Sequence, residues 1–338
     1  MPLVIGGLAV NEGRTFIIAE AGSNFGGHLS QAKELIDVAV EAGADAVKFQ
    51  SYEGDSLVGR NHPAHSILDK YSLPKEWHFE LNEYCREKGI LFCSTPFDSQ
   101  RLAWLEEVGV EFHKIASGDL TYVQLVKEIA ATGRPIILST GMATLGEVET
   151  AINTIKQAGN DQIVLMHCVG SYPTEVNEVN LRSMQTLAHA FGLPVGFSDH
   201  TKNTVIPALA VAMGACVIEK HFTLERDLDT PDHSFALRPS ELAEMVTNIR
   251  LAEAAMGSKE KRPTQSEVAT SRIEGRRSLH AKVDIECGAR ITADTVRIIR
   301  PATGLAPEYC VDVIGKKALT FLRQGDPIRL HDIDWAGE

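Results

Sequence analysis

The chain has 338 residues, 44% of them hydrophobic and 23% charged, which is enough for one large domain with a sizeable core plus a small one. Its formal net charge of -12 sets nucleic acid and anionic membrane surfaces aside as main partners, because both would repel it. A small anionic substrate stays open, since a few lysines and arginines can make the field inside one cleft positive.

The opening MPLVIGGLAVNEG has no basic n-region and no long apolar h-region, so it does not read as a secretion signal. No apolar stretch approaches the ~20 residues of a membrane helix. Cys85, Cys93, Cys168, Cys216, Cys287 and Cys310 are scattered without a Cys-x-x-Cys pair and read as reduced, mostly core residues. A cytoplasmic location is the expectation. From residue 16 a rhythm begins. Short apolar runs recur at Phe16–Ile18, Ala46–Phe49, Ile90–Cys93, Phe112–Ile115, Ile136–Leu138, Ile163–Met166, Val195–Phe197 and Val217–Glu219, each reading as a strand buried on both faces. All but the first follow a glycine placed as a helix stop: Gly43, Gly89, Gly109, Gly133, Gly159, Gly192 and Gly214. The segments between are amphipathic, as in QAKELIDVAV from Gln31.

Eight strands alternating with helices predict an α/β fold, a (β/α)8 TIM barrel. An open doubly wound sheet is the alternative; it would normally show Gly-x-Gly-x-x-Gly after the first strand, and Gly22-Ser23-Asn24-Phe25-Gly26-Gly27 lacks that spacing. Residues 1–13 read as a hairpin closing the lower end. The barrel is assigned to residues 1–262, a polar linker to 263–278, and a small β-rich domain to 279–338. In that last segment IECGARITADTV from Ile285 is echoed by LRQGDPIRLHDI from Leu322. A domain of about 60 residues is small enough to need support from a neighbour.

Catalytic groups of such barrels lie at the C-terminal ends of the strands. Here those ends carry Glu20, with Ser23 and Asn24; Lys48 and Gln50; Ser94 and Thr95; Lys114, Ser117 and Asp119; and Ser139 and Thr140. The later ends carry His167 and Tyr172; Ser198, Asp199 and His200; and Glu219, Lys220 and His221, with Asp232 and His233 beyond. Polar groups in apolar runs are costly unless paired or used, and eight such ends exceed what core packing requires. Lys48 and Lys114 among hydroxyls suit a phosphate plus a carboxylate; ion pairing with a nearby acid is the plain alternative. His200 and His221, on adjacent strands, can converge on a divalent ion, or simply hydrogen-bond. His28, His62, His65 and His78 have no comparable context and are expected at the surface.

The strings IIAEAGSNFGG, DAVKFQ, STPFD, HKIASGD, ILSTGM, HC-x-x-SYPT, GFSDHT, IEKHFTL and DHSFAL resemble the N-acetylneuraminate (sialic acid) synthase family, with its legionaminate, pseudaminate and spore-coat relatives. RRSL, IRP-x-x-G and GDPIRLHDID resemble the antifreeze-like (SAF) domain that these enzymes carry. The resemblance covers essentially the whole chain. It implies a phosphoenolpyruvate-dependent transferase in polysaccharide biosynthesis: phosphoenolpyruvate condenses with an N-acetylated hexosamine aldehyde, with N-acetylmannosamine foremost, giving a nine-carbon keto-sugar acid of N-acetylneuraminate type and phosphate. It also implies site roles. Lys48, Thr95, Lys114, Ser117, Ser139 and Ser198 look like phosphoenolpyruvate contacts. His200 and His221 look like ligands of Mn2+ or Mg2+, and Glu20 like the acid–base group. Gln50, Asp119, Tyr172 and Asp232 match sugar contacts, and Arg300 matches an arginine reaching the sugar in a domain-swapped homodimer.

Two departures bear on the sugar. Gly170-Ser171-Tyr172 stands where neuraminate synthases commonly have Asn-x-Tyr, and Ser117-Gly118-Asp119 where they have Ser-Gly-Glu. In residues 51–73 the matching sugar contact is ambiguous, with Asn61 one candidate. A legionaminate, pseudaminate or spore-coat sugar synthase is the first alternative. A Schiff-base aldolase using Lys48 or Lys114 is a second, and a non-enzymatic ice-binding role for the small domain a third.

Overall fold

The computed structural model describes residues 3–10, 13–226 and 232–336. The chain folds as two compact units, Met1–Gly257 and Ser258–Glu338.

The first unit opens with a hairpin, β1 (Leu3–Ile5) and β2 (Leu8–Val10). Residues 1, 2, 11 and 12 of the expected hairpin segment lie outside the described residues. The barrel repeats follow as β3 (Phe16–Gly22), α1 (Leu29–Ala42), β4 (Ala46–Ser51), α2 (Gly54–Leu57), α3 (His65–Lys70), α4 (Lys75–Lys88), β5 (Leu91–Pro96) and α5 (Ser99–Val108). Next come β6 (His113–Ile115), α6 (Val123–Ala131), β7 (Ile136–Ser139), α7 (Leu145–Gln157), β8 (Ile163–Cys168) and α8 (Ser183–Phe191). The last turn of the barrel is β9 (Val195–Asp199), α9 (Ile206–Ala212), β10 (Val217–His221) and α10 (Pro239–Met256).

The sheet runs β5-β4-β3-β10-β9-β8-β7-β6, every pairing parallel, and β5 and β6 lie side by side where the ring meets. Strands adjacent in sequence are adjacent in the ring, as a barrel requires and a doubly wound sheet does not. The seven predicted stop glycines all take positive φ, from 64° at Gly192 to 104° at Gly214. Helix α1 shows how the outer layer forms: Ala32, Leu35, Ile36 and Ala39 make one fully buried stripe at helical spacing.

Strand alternation sorts the side chains. Ile17, Ala19, Val47, Phe49, Leu138, Leu165 and Ile218 point outward and pack with the helices. Phe16, Ile18, Ala46, Cys93, Phe112, Ile137, Val164, Met166 and Val217 point inward and fill the lower barrel, with Ile5 and Val10 of the hairpin beneath them. Burying such a side chain is worth about 1.5–3 kcal/mol. The lower interior is full to the point that a Cβ at Gly196 would run into Met166 Sδ and the Val217 carbonyl oxygen. Two residues further along the same strands the inward positions become Glu20, Lys48, Thr95, Lys114, Ser139 and Glu219.

The second unit contains α11 (Arg272–Gly275), β11 (Ser278–Ala281), β12 (Val296–Ile299), α12 (Cys310–Val313), β13 (Lys317–Ala318) and β14 (Ile333–Asp334). β11 pairs antiparallel with β12, and β13 with β14. The two echoed segments meet at their first residues: Ile285 N–H donates to Leu322 O at 2.8 Å, and Leu322 N–H to Ile285 O at 3.0 Å. Their matching Ile291 and Ile328 are both fully buried in one small core. Among the described residues no helix is long and apolar enough to cross a membrane.

Candidate active site

The inward positions at the strand tops form a buried charge cluster. Lys48 Nζ stands 2.9 Å from Glu20 Oε2 and 3.6 Å from Glu219 Oε1, and donates to Thr95 Oγ1 at 3.1 Å. Lys114 Nζ stands 3.6 Å from the same Glu219 oxygen and donates to Ser139 Oγ at 2.7 Å. Ser198 Oγ donates to Glu219 at 3.4 Å, and Gln50 Nε2 donates to Glu20 Oε1 at 2.8 Å. Lys48 and Lys114 are each 3% exposed and Glu20 1%. Charges so placed are tolerable only in mutual contact.

Burial pushes Glu20 up to about 7, opposed by Lys48 and reinforced by Glu219. Glu219 goes the other way: burial would raise it, but Lys114 and Lys48 outweigh that and hold it below the usual carboxylate range. Burial would lower Lys48, yet Glu20 and Glu219 raise it overall, so its ammonium stays protonated. One side of the cluster is therefore fixed as ions, while Glu20 can change protonation near neutrality.

Two imidazoles face this cluster. His200 and His221 have ring centroids 5.5 Å apart; Tyr172 covers His200 at 4.1 Å, and Phe235 packs on His221 at 5.1 Å. His200 Nδ1 lies 2.7 Å from Val169 O, and a carbonyl can only accept, so Nδ1 carries the proton and Nε2 keeps its lone pair. His221 Nδ1 is buried without a hydrogen-bond partner, 3.5 Å from Asp232 Oδ2. Burial lowers both rings' pKa, His221's well below normal, with His200 adding to the effect there. Neutral imidazoles with free lone pairs are what a divalent cation takes. Among the described residues no group of three or more His, Cys, Asp or Glu side chains is disposed to hold a metal.

At the rim, the turn 117–119 carries Ser117, whose Oγ accepts from Gly141 N at 3.0 Å and lies 3.0 Å from Cys168 Sγ. Asp119 Oδ2 is buried without a partner, and burial, opposed by Lys114, pushes Asp119 up to about 6. Burial likewise raises Asp232 to about 6, opposed by Lys48. Asp232 converges with Glu20 and Gln50 around Gly22: a Cβ there would lie 3.1 Å from Asp232 Oδ2, 3.5 Å from Glu20 Oε1 and 3.6 Å from Gln50 Nε2. Glu20, Lys48, Gln50, Thr95, Lys114, Ser117, Ser139, Tyr172, Ser198, His200 and His221 all line one cavity with Glu219 and Cys168. Wider concavities along residues 258–268, along residues 263–276 and at the barrel's lower end offer exposed or mutually paired charges.

Several expected members of the ring turn elsewhere. Lys220 pairs with Asp199 at 2.6 Å and donates to Thr201 O, on the outward face. His167 Nε2 donates to Val179 O at 2.8 Å, its ring stacked on Phe197. Thr140 caps Met166 O, and Asn24 donates to Phe222 O. His78, expected at the surface, is fully buried on α4 against Ser51; its spacing with Leu81 and Cys85 is a helical core stripe, and that is the signal that places it inside. Glu219 has no role assigned from the sequence, though alternation from Val217 aims it inward. Arg300 belongs to the second unit, just past β12, and Asn61 is exposed.

Comparison with known proteins matches the chain to a family. The NeuB family model matches residues 35–261, and the SAF domain model residues 276–334. An N,N'-diacetyllegionaminic acid synthase from Legionella pneumophila is 42% identical, covering 94% of each chain. A pseudaminic acid synthase from Helicobacter pylori is 35% identical, covering 94% of this chain and 97% of the relative. The crystal structure of an N-acetylneuraminic acid synthetase from Leptospira borgpetersenii, in complex with citrate, is 39% identical with a TM-score of 0.76, covering 80% of this chain and 94% of that one.

Proposed function

The chain belongs to the NeuB family, whose members are sugar-acid synthases, and we propose that it condenses phosphoenolpyruvate with the open-chain aldehyde of an N-acetylated amino sugar. The observation that carries this reading is the pair of buried lysines, each donating to a strand-end hydroxyl, beside two neutral histidines in one cavity. Ammonium and hydroxyl donors suit the carboxylate and phosphate oxygens of phosphoenolpyruvate. In the reaction the C3 carbon of phosphoenolpyruvate bonds to the aldehyde carbon, water adds at C2, and phosphate leaves as the C2 ketone forms. Lys48 and Lys114 bind and orient the anion, with Thr95, Ser139, Ser117 and Ser198 completing its contacts. Glu20, buried and held near 7, can take the proton of the incoming water. A divalent ion, Mn2+ or Mg2+, at His200 and His221 would supply Lewis acidity toward the aldehyde oxygen.

Gln50, Asp119, Tyr172 and Asp232 are assigned to the sugar. N-acetylmannosamine is the acceptor expected from the sequence, while the identity to the Legionella pneumophila synthase supports a diacetylated amino sugar instead. The same reading places Arg300 of one copy at the acceptor of another in a homodimer, in the cytoplasm. The Schiff-base alternative requires a neutral amine, and the raised pKa of Lys48 opposes it. The test is phosphate release from phosphoenolpyruvate and a panel of N-acetylated hexosamines, mono- and diacetylated, with and without EDTA. Release with none of them, or trapping by borohydride, would overturn the reading.

A further inference from the structure

Behind β4 and β5, on the face away from the cavity, three polar side chains form a closed chain. Ser94 Oγ lies 2.6 Å from Ser51 Oγ, and Ser51 Oγ lies 2.6 Å from His78 Nε2. His78 Nδ1 lies 2.9 Å from Pro74 O. All three residues are essentially without solvent exposure. The direction of the chain is determined. Pro74 O only accepts, so Nδ1–H donates to it; burial keeps the ring neutral, so Nε2 accepts. Ser51 must then donate to Nε2, which leaves its oxygen to accept from Ser94. The ring is clamped edge-on by Phe92, centroids 6.4 Å apart, and Trp104, 5.6 Å apart.

The same two strands carry the anion-binding edge on their other face. Lys48 and Gln50 precede Ser51 on β4 and face the opposite way, Thr95 follows Ser94 on β5, and Lys48 Nζ bonds Thr95 Oγ1 across the pair. The ladder between the strands runs up to Ser51 opposite Pro96, where Phe97 N–H donates to Ser51 O at 3.1 Å, so the side-chain chain braces the outer face of this same paired stretch. We propose that His78 is a positioning residue for phosphoenolpyruvate binding, acting through Ser51 and Ser94 to hold Lys48 and Thr95 in register. This rests on the proposed function above.

The test uses the full-length protein and three variants. His78→Phe keeps the ring between Phe92 and Trp104 but removes the acceptor from Ser51. Ser94→Ala removes the far end of the chain without touching α4. His78→Gln returns an acceptor near the Nε2 position. Phosphoenolpyruvate Kd by calorimetry, KM for each substrate, and Tm are measured. His78→Phe and Ser94→Ala should weaken phosphoenolpyruvate binding about five- to tenfold, the worth of one net hydrogen bond, with acceptor KM within about twofold of wild type. His78→Gln should recover most of the loss. Unchanged phosphoenolpyruvate Kd in Ser94→Ala, or in a folded His78→Phe, would overturn the proposal even if Tm falls. A wild-type protein that binds no phosphoenolpyruvate would overturn the functional reading as well, and is told apart by that measurement alone.

Discussion

Lys48 and Glu20 form an ion pair of 2.9 Å with neither partner more than 3% exposed, and Glu219 approaches the same ammonium from β10 at 3.6 Å. Breaking a buried pair from one side strands the opposite charge, at a cost of about 3–5 kcal/mol. Lys48→Met should therefore abolish phosphate release and lower unfolding stability by about that amount in urea titration. Adding Glu20→Gln should recover about 1–3 kcal/mol of stability and no activity. A Lys48→Met protein as stable as wild type would show that the pair is not charged in the fold.

His200→Ala or His221→Ala should end stimulation by Mn2+ while leaving circular dichroism unchanged. Wild type should gain Tm on adding Mn2+, since a ligand that binds only the folded state stabilises it, and the variants should not. Full Mn2+-stimulated activity in His221→Ala would remove that histidine from the metal site.

The pH dependence of stability can be tested at Asp119. Its folded-state pKa of about 6 lies above the ordinary 3.8, so the folded chain binds this proton more tightly than the unfolded chain. Its contribution to stability is fully present below the unfolded value and is lost as pH rises through about 6. Asp119→Asn should thus lose less Tm than wild type between about pH 5 and about pH 7.5. An identical loss in both proteins would mean the carboxyl is not buried as described.

Gly170→Asn tests acceptor choice. A Cβ at 170 would meet Met142 Cγ at 3.0 Å and Sδ at 3.2 Å. Met142 is 75% exposed, so its side chain can give way and the fold should survive. The variant should shift the ratio of kcat/KM between mono- and diacetylated acceptors several-fold, with phosphoenolpyruvate KM unchanged. A ratio that stays put would place the acceptor away from this loop.

The barrel was legible because its signals are local. A glycine stop and a β-branched run mark each repeat, and alternation from Phe16 to Glu20 or Val217 to His221 tells which side chains face in. What alternation alone could have settled, but a list of polar strand ends did not, is that Asp199 and Lys220 face out and pair. His78 shows the converse: an isolated histidine read as surface belongs to a core stripe with Leu81 and Cys85. The two-lysine contact of Glu219 joins three strands far apart in sequence, and no local pattern records a distance of 3.6 Å. Arg300 is singled out by resemblance alone, since the role proposed for it concerns another copy of the chain.

The change from apolar to polar two residues along the same strands also bears on how such an enzyme can diversify. Glu20, Lys48, Thr95, Lys114, Ser139 and Glu219 are anchored by strands whose inward side chains two residues below fill the barrel core, so under the proposed reaction drift there would endanger both the donor half of the chemistry and the fold. Asp119, Gly170, Tyr172 and Asp232 sit past the strand ends, where sequence can wander without disturbing the layers beneath. On the proposed reading, one scaffold can in this way hold its donor site constant while the acceptor site is altered.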